Sequence, residues 1–174
     1  MSNPVLQAIA DRRSVRGYEA TKLTKEQLDA LVKAALESPS ARNAQPWHFA
    51  FVSDTALLEE INAEINKNVG TSGREIFYKA PTCVFISGDR ENSWSPIDAG
   101  IAVENLALAA HAMGLGSVIL GMPKAAFNGE KNEAFRKALK MPETHDFIVA
   151  IAIGVPTMSK DAHEVFPGQV DMIG

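Results

Sequence analysis

One long segment, from Pro96 to Met113, constrains this chain more than any other feature. It predicts a helix that is apolar on almost every side. Pro96 is typical of a first helical turn, and Gly114 is typical of the left-handed residue that ends a helix. Such a helix must be buried on several sides, within its own domain or against a second copy of the chain. The fold must therefore be built around it.

Shorter helices and strands alternate along the rest of the chain. Thr24 and Gln27 form a capping-box pattern, and Asp54 is a suitable cap for a further helix. Apolar spacing predicts helices near residues 3–13, 25–37, 54–68 and 130–139, and strands near 49–52, 82–87, 117–120 and 147–153. The pattern indicates one layered α/β or α+β domain over residues 1–174, because no linker or repeat divides it. Propensity alone does not fix the order of the strands.

Composition excludes several classes of protein. The net charge is −4, so binding to nucleic acid would need a strong local basic surface. The single cysteine, Cys83, cannot form an internal disulfide, and the four histidines show no spacing typical of metal ligands. Charged residues and glycines interrupt the most apolar stretch, and no basic and apolar leader is visible at the N-terminus. We therefore expect a cytoplasmic protein with no membrane, nucleic-acid or metal partner.

The run Arg12-Arg13-Ser14-Val15-Arg16 concentrates positive charge in this acidic chain. Arg12 and Arg16 would share a helix face if the first helix continues through them, and Ser14 adds a hydroxyl donor. Guanidinium groups bind phosphate oxygens in pairs, which favours a phosphate ligand. The alternative is a solvated basic helix end, where cations also complement the helix dipole.

A second run, from Pro39 to Phe49, places small and polar groups in a loop before a strand. Ser40, Asn43 and Gln45 supply the hydroxyl and amide groups that recognise a heterocyclic ligand. A polar turn that ends the preceding helix would have the same composition. Each run is a weak signal alone, and their order and separation make the pair specific.

Together the two runs resemble the nitroreductase family of flavoenzymes. Residues 98–117 are similar to the central helix of that family and the strand after it, and residues 151–156 resemble its Gly-x-Pro turn. The resemblance spans about residues 7–156. It implies an α+β nitroreductase-like fold, with a central mixed and mostly antiparallel sheet flanked by helices, in an intertwined homodimer.

The resemblance also implies FMN at the subunit interface. One subunit would contact the phosphate, ribityl or pyrimidine groups through Arg12, Arg13, Ser14 and Arg16. The strand end Ile119, Leu120 and Gly121 would lie beside the flavin ring, with a backbone amide near its N5. The other subunit would contribute Pro39, Ser40, Ala41 and Asn43. NAD(P)H would deliver hydride to flavin N5, and a small acceptor such as a nitroaromatic or quinone would then remove it. A positive group at the N1/O2 edge would stabilise the anionic reduced flavin; Arg16 is the first candidate, and Arg74, in a loop whose register the sequence does not fix, is the second. No catalytic side chain is implied, because the flavin carries the chemistry.

The chain departs from the family pattern near its C-terminus. Many relatives carry a basic pair beyond the Gly-x-Pro turn, whereas only Lys160 stands there in this chain. A flavin-binding or flavin-storing module with little turnover is therefore a second hypothesis, and a dimeric scaffold without flavin is a third. Trp94, just before the long helix, either stacks on a ligand or covers the core.

Overall fold

The computed structural model describes residues 3–174 and is centred on a four-stranded sheet. The strands are β1 (Trp47–Val52), β2 (Thr82–Asp89), β3 (Gly116–Leu120) and β4 (His145–Gly154), in the spatial order β1-β2-β4-β3. All three strand pairs are antiparallel, with Phe49 opposite Ile86 and Val118 opposite Ala152. The only parallel pairing within the described residues is an isolated bridge between Ser14 and Ser117. The expected mostly antiparallel sheet is thus confirmed.

Five α-helices surround the sheet. They are α1 (Pro4–Asp11), α2 (Lys25–Leu36), α3 (Thr55–Val69), α4 (Ser95–Ala112) and α5 (Asn132–Ala138). The capping box predicted at Thr24 and Gln27 is present, and Asp54 caps α3 by accepting from two backbone N–H groups. Gly114 has a φ of 73°, which confirms the left-handed stop after α4.

Alternate side chains of β2 divide the core into two layers. Cys83 and Phe85 face one apolar layer with α3 and α5, and Val84 and Ile86 face the other with α2 and α4. β2 is buried on both faces, because helices cover both sides of the sheet. The long apolar helix predicted from the sequence therefore lies against the sheet centre, as its composition requires.

Two details differ from the sequence prediction. A 3-10 segment, Met122–Asn128, packs on α3 and was not predicted. α1 ends at Asp11, and Arg12 has extended backbone angles, so Arg12 and Arg16 do not share a helix face. The physical reason is tertiary: the Val15 N–H donates to the Ser117 carbonyl at 2.8 Å, which draws the chain out along β3.

Apolar side chains are exposed in several places, including α1, the outer face of α4 and the tail after residue 158. α1 has no buried residue, the outer face of α4 presents Ile97 and Ile101, and the tail after residue 158 exposes Phe166 and Met172. No helix within residues 3–174 combines the length and apolar character needed to cross a bilayer.

Candidate functional site

The first basic run lies in an extended segment beside the start of β3. Ser14 bridges Ser117, and the hydroxyl of Tyr18 donates to the Val15 carbonyl at 2.6 Å. Arg12 Nε donates to Glu104 Oε1 at 3.0 Å, which ties the segment to the middle of α4. The run is therefore held by tertiary contacts and is not a free basic helix end.

A cavity of about 460 Å³ opens beside this segment. Arg12 and Arg13 line it, and the chain after β4 returns to add Ser159 and Lys160. The other walls include His111 and Ser117. Three cationic side chains, two serines and the carboxylate of Asp11 line this space, and one of the cations, Arg12, is paired with Glu104. The cations and the serine hydroxyls are the donor set that an anionic phosphate group requires.

The second run forms a tightly constrained loop. Arg42, Asn43 and Gln45 all have positive φ, near 56°, 55° and 47°. The Ser40 hydroxyl accepts from the Gln45 N–H at 3.0 Å, and the Gln45 side chain donates to Asn43 Oδ1 at 2.9 Å. Left-handed backbone at non-glycine residues costs about 1–3 kcal/mol each, so these contacts must hold the loop in place.

Asp98, in the first turn of α4, anchors this loop. Its Oδ1 accepts from the Ala41 N–H at 3.0 Å, and the residue is only 2% exposed. Its Oδ2 is buried without a hydrogen-bond partner among the residues described. Sequence reasoning assigned no role to Asp98 or to Glu104. Their position in the sequence could have marked them as functional, because they are the only carboxylates in the otherwise apolar segment from Pro96 to Met113.

The end of β3 has room for a flat ligand. Val118 and Leu120 are buried, whereas Ile119 between them is 38% exposed on the other face. A Cβ built on Gly121 would meet no atom within 4 Å, so the space beside this residue is open. Exposed apolar surface next to open backbone is suited to an aromatic ring system.

Arg16 and Arg74 occupy different surroundings. The Arg16 guanidinium lies 6.0 Å from the centre of the Tyr78 ring, within reach of a cation–π interaction. Arg74 follows α3, and its backbone carbonyl accepts from the side chains of Asn62 and Asn66. Neither arginine lines the cavity that contains Arg12 and Lys160.

The two runs meet different parts of α4 within one chain. The loop is anchored at Asp98 in the first turn, whereas the cavity at the first run is lined by His111 in the last turn. At ~1.5 Å per residue, Asp98 lies roughly 20 Å along the helix from His111 and roughly 9 Å from Glu104, the α4 residue that Arg12 of the first run contacts. The two runs of a single chain therefore contact α4 at different turns.

The described residues show few groups suited to acid–base or metal chemistry. Burial raises the pKa of the Cys83 thiol, which keeps it protonated and unreactive inside the core. Burial lowers the pKa of His48, and the nearby His145 lowers it further. Within residues 3–174 no three His, Cys, Asp or Glu side chains cluster as metal ligands do.

Trp94 immediately precedes α4 and is 50% exposed, so it does not serve as a core residue. It lines a second cavity together with Ala41 and Arg42 of the constrained loop. Of the two roles that the sequence left open for Trp94, core packing does not fit its exposure. Its indole presents an aromatic surface beside the loop, where a ligand has room to stack.

Known proteins match the chain over most of its length. A protein of Archaeoglobus fulgidus, named as an NADH dehydrogenase/NAD(P)H nitroreductase, is 33% identical over 165 residues, which cover 91% of this chain and 89% of that protein. A nitroreductase with bound FMN from Desulfitobacterium hafniense is 28% identical, with a TM-score of 0.94 and 100% of both chains covered. Another FMN-bound nitroreductase, from Bacteroides fragilis, is 27% identical, with a TM-score of 0.91, 99% of this chain and 100% of that chain covered. The model of the Nitroreductase family matches residues 9–155, and the chain belongs to that family.

Proposed function

We propose that this protein is an FMN-dependent oxidoreductase that uses NAD(P)H to reduce a small acceptor such as a nitroaromatic or quinone. Residues 1–174 would form a single FMN-binding domain. The observation that carries the proposal is the cavity in which Arg12, Arg13 and Lys160 surround one open space. The FMN bound to two related structures and the nicotinamide nucleotide in the name of the A. fulgidus protein support the same cofactor and reductant.

The residues present fit FMN. The phosphate would lie against the three cations of the cavity, with Ser117 and Ser159 beside them. Ser14, which follows Arg13 in the chain but does not line the cavity, is a further proposed donor. The ring system would lie along the end of β3, from Ile119 through Leu120 to Gly121, where Ile119 is exposed and the space beside Gly121 is open. Lys160 is the only lysine or arginine after the Gly-x-Pro turn, and it supplies part of the positive charge that a basic pair would provide.

When bound, FMN supplies the hydride chemistry between NAD(P)H and the acceptor. The protein orients it and adjusts the electrostatic field around it. The guanidinium of Arg16, stacked on Tyr78, is our candidate for stabilising negative charge at the pyrimidine edge of the ring. Arg74 is a second candidate. The buried Cys83 takes no part, and no side chain is required as a general acid or base.

We further propose that the active form is a homodimer in which two chains build each FMN site. The supporting observation is the separation of the two runs along α4, together with the apolar outer face of that helix. If two antiparallel copies of α4 pack on that face, the loop of one chain approaches the cavity of the other. Pro39, Ser40, Ala41 and Asn43 would then complete the partner's site, and the exposed apolar tail after residue 158 could be covered by the same partner.

A cytoplasmic setting fits this function. A cytosolic thiol is normally kept reduced, and the free Cys83 is consistent with that environment.

The absorption spectrum of the purified protein tests the proposal. We expect a yellow protein that retains FMN through desalting and bleaches with NADH or NADPH under anaerobic conditions, faster than free FMN does. A protein that retains FMN but bleaches no faster than free FMN would instead be a flavin-storing module. Failure to retain FMN after reconstitution would reject both functions and leave a scaffold.

A further inference from the structure

A second cavity, of about 510 Å³, lies beside the constrained loop and is separate from the phosphate cavity. Ala41 and Arg42 of the loop form one wall, and the turn between β2 and α4 forms the other with Asp89, Glu91 and Trp94. None of these residues except Ala41 belongs to the expected FMN set. The cavity therefore adds a distinct group of side chains next to the proposed flavin site.

The walls of this cavity are preorganised. The Trp94 N–H donates to Asn92 Oδ1 at 3.0 Å, which fixes the backbone while the indole stays 50% exposed. The backbone N–H of Glu91 donates to Asp89 Oδ1 at 3.1 Å, and the backbone N–H of Ala41 donates to Asp98 Oδ1. The cavity can thus receive a ligand with little further ordering, which favours binding.

The walls of this cavity combine an aromatic ring, a cation and two carboxylates. An exposed indole is a stacking surface for a flat heterocycle. Within residues 3–174 neither Arg42 nor Glu91 forms an ion pair, so a cation and a carboxylate are both available to a ligand. Asp89 places a second carboxylate on the same side as Glu91. A nitroaromatic or quinone would stack on Trp94 but would gain nothing from two carboxylates.

We propose that this cavity binds the adenosine half of the nicotinamide nucleotide and makes the enzyme prefer NADH to NADPH. The purine stacks on Trp94, the carboxylates accept from the ribose hydroxyls, and Arg42 faces the pyrophosphate. A carboxylate at the ribose accepts a hydrogen bond from the 2′-hydroxyl of NADH and repels the 2′-phosphate of NADPH. This is the basis of NAD selectivity in other folds. The inference rests on the proposed function, because the loop must border the partner's flavin.

Steady-state and anaerobic kinetics with three reductants test the assignment. We compare NADH, NADPH and reduced nicotinamide mononucleotide, which lacks the adenosine half. In the unmodified protein kcat/KM should be ~10-fold higher for NADH than for NADPH, given the cost of like charges. Trp94→Ala should lower kcat/KM for NADH ~10-fold more than for the mononucleotide, as expected for loss of a base–aromatic stack. Trp94→Phe should restore most of that loss.

Glu91→Gln is the second variant. It should raise kcat/KM for NADPH relative to NADH ~5-fold, because one repelling charge is removed. Glu26→Gln, an exposed carboxylate in the first turn of α2 outside the cavity, is the matched control and should leave the ratio unchanged. Calorimetric titration with ADP-ribose provides a readout apart from turnover, and binding should weaken in Trp94→Ala.

The two hypotheses fail in different ways. If none of the three reductants bleaches the flavin, the proposed function fails. If the reductants act but Trp94→Ala lowers kcat/KM equally for NADH and the mononucleotide, or Glu91→Gln leaves the NADPH to NADH ratio unchanged, the adenosine site is overturned and the proposed function stands. Unchanged ADP-ribose affinity in Trp94→Ala would also overturn it.

Discussion

At the scale of single residues, Lys160 most directly tests the phosphate cavity. It is one of three cations there, and Lys160→Gln removes its charge while keeping most of its length. We expect FMN affinity to fall ~10-fold, since charge-assisted hydrogen bonds are the stronger class. Quenching of FMN fluorescence measures the affinity, and Lys25→Gln on the surface of α2 is the control. An unchanged FMN affinity would show that Lys160 does not bind the phosphate and would leave Arg12 and Arg13 as the cations of the site.

Asp98 tests whether the constrained loop contributes to flavin binding. Asp98→Ala removes the acceptor of the Ala41 N–H and frees the loop. A hydrogen bond to a charged group contributes about 1.5–3 kcal/mol, so FMN affinity should fall at least ~10-fold. Asp98→Asn keeps a neutral oxygen acceptor, so FMN affinity should fall by less, about 5-fold, because a hydrogen bond to an uncharged group is weaker by about 1 kcal/mol. Equal losses in both variants, by FMN titration, would show that the charge matters and the loop contact does not.

At the scale of elements, close packing at the end of β4 constrains the sheet. A Cβ on Gly154 would lie 2.6 Å from Cδ of Pro81 and 3.1 Å from the Tyr18 ring. A proline ring cannot rotate away, so Gly154→Ala should lower the free energy of unfolding by ~2 kcal/mol through overpacking. Urea denaturation measures this change. Gly168→Ala, where a Cβ would meet nothing within 4 Å, should shift it by less than about 0.5 kcal/mol.

The element predictions show which signals the sequence carries locally. The cap at Thr24, the cap at Asp54 and the stop at Gly114 depend on neighbouring residues, and each is present. The strands were recognised from short apolar runs, although their ends differ by one or two residues. The 3-10 segment Met122–Asn128 was missed, because its packing on α3 comes from residues distant in sequence.

At the scale of the whole molecule, the outer face of α4 tests the homodimer. Ile97 is 54% exposed in the single chain, and Ile101 lies one turn further on the same face. Ile101→Asp would place a charge in the proposed interface, which should produce a monomer and abolish FMN retention together. Analytical ultracentrifugation with flavin absorbance follows both properties. A monomer that still retains FMN would show that one chain suffices for the site.

The response to pH is also a property of the assembled sheet. His48 on β1 and His145 on β4 both have a lowered pKa, chiefly because burial disfavours the charged ring. The folded state therefore binds protons on these rings less readily than the unfolded chain, in which histidine has its ordinary pKa of about 6.5. The contribution of these two histidines to the free energy of unfolding should be constant above about pH 6.5 and should fall as pH drops below it.

Urea denaturation at pH 7.5 and pH 5.5 measures this fall. Asp89 raises the pKa of His145 and so reduces this loss of stability, whereas Arg136 and Arg90 lower that pKa and so increase the loss. The double variant His48→Gln, His145→Gln should lose less stability between the two pH values than the unmodified protein. The same loss in both proteins would assign the pH response to other groups.

The sequence by itself predicted residues for binding a phosphate and a flat ring, and it determined where most helices and strands lie. These properties depend on side-chain chemistry and on neighbours within a few residues. The tertiary structure alone decided three things: the extended path of Arg12 to Arg16, the return of Lys160 to the same cavity, and the anchoring of Ala41 by Asp98. Each depends on a contact between segments far apart in the chain, and local propensity does not encode such contacts.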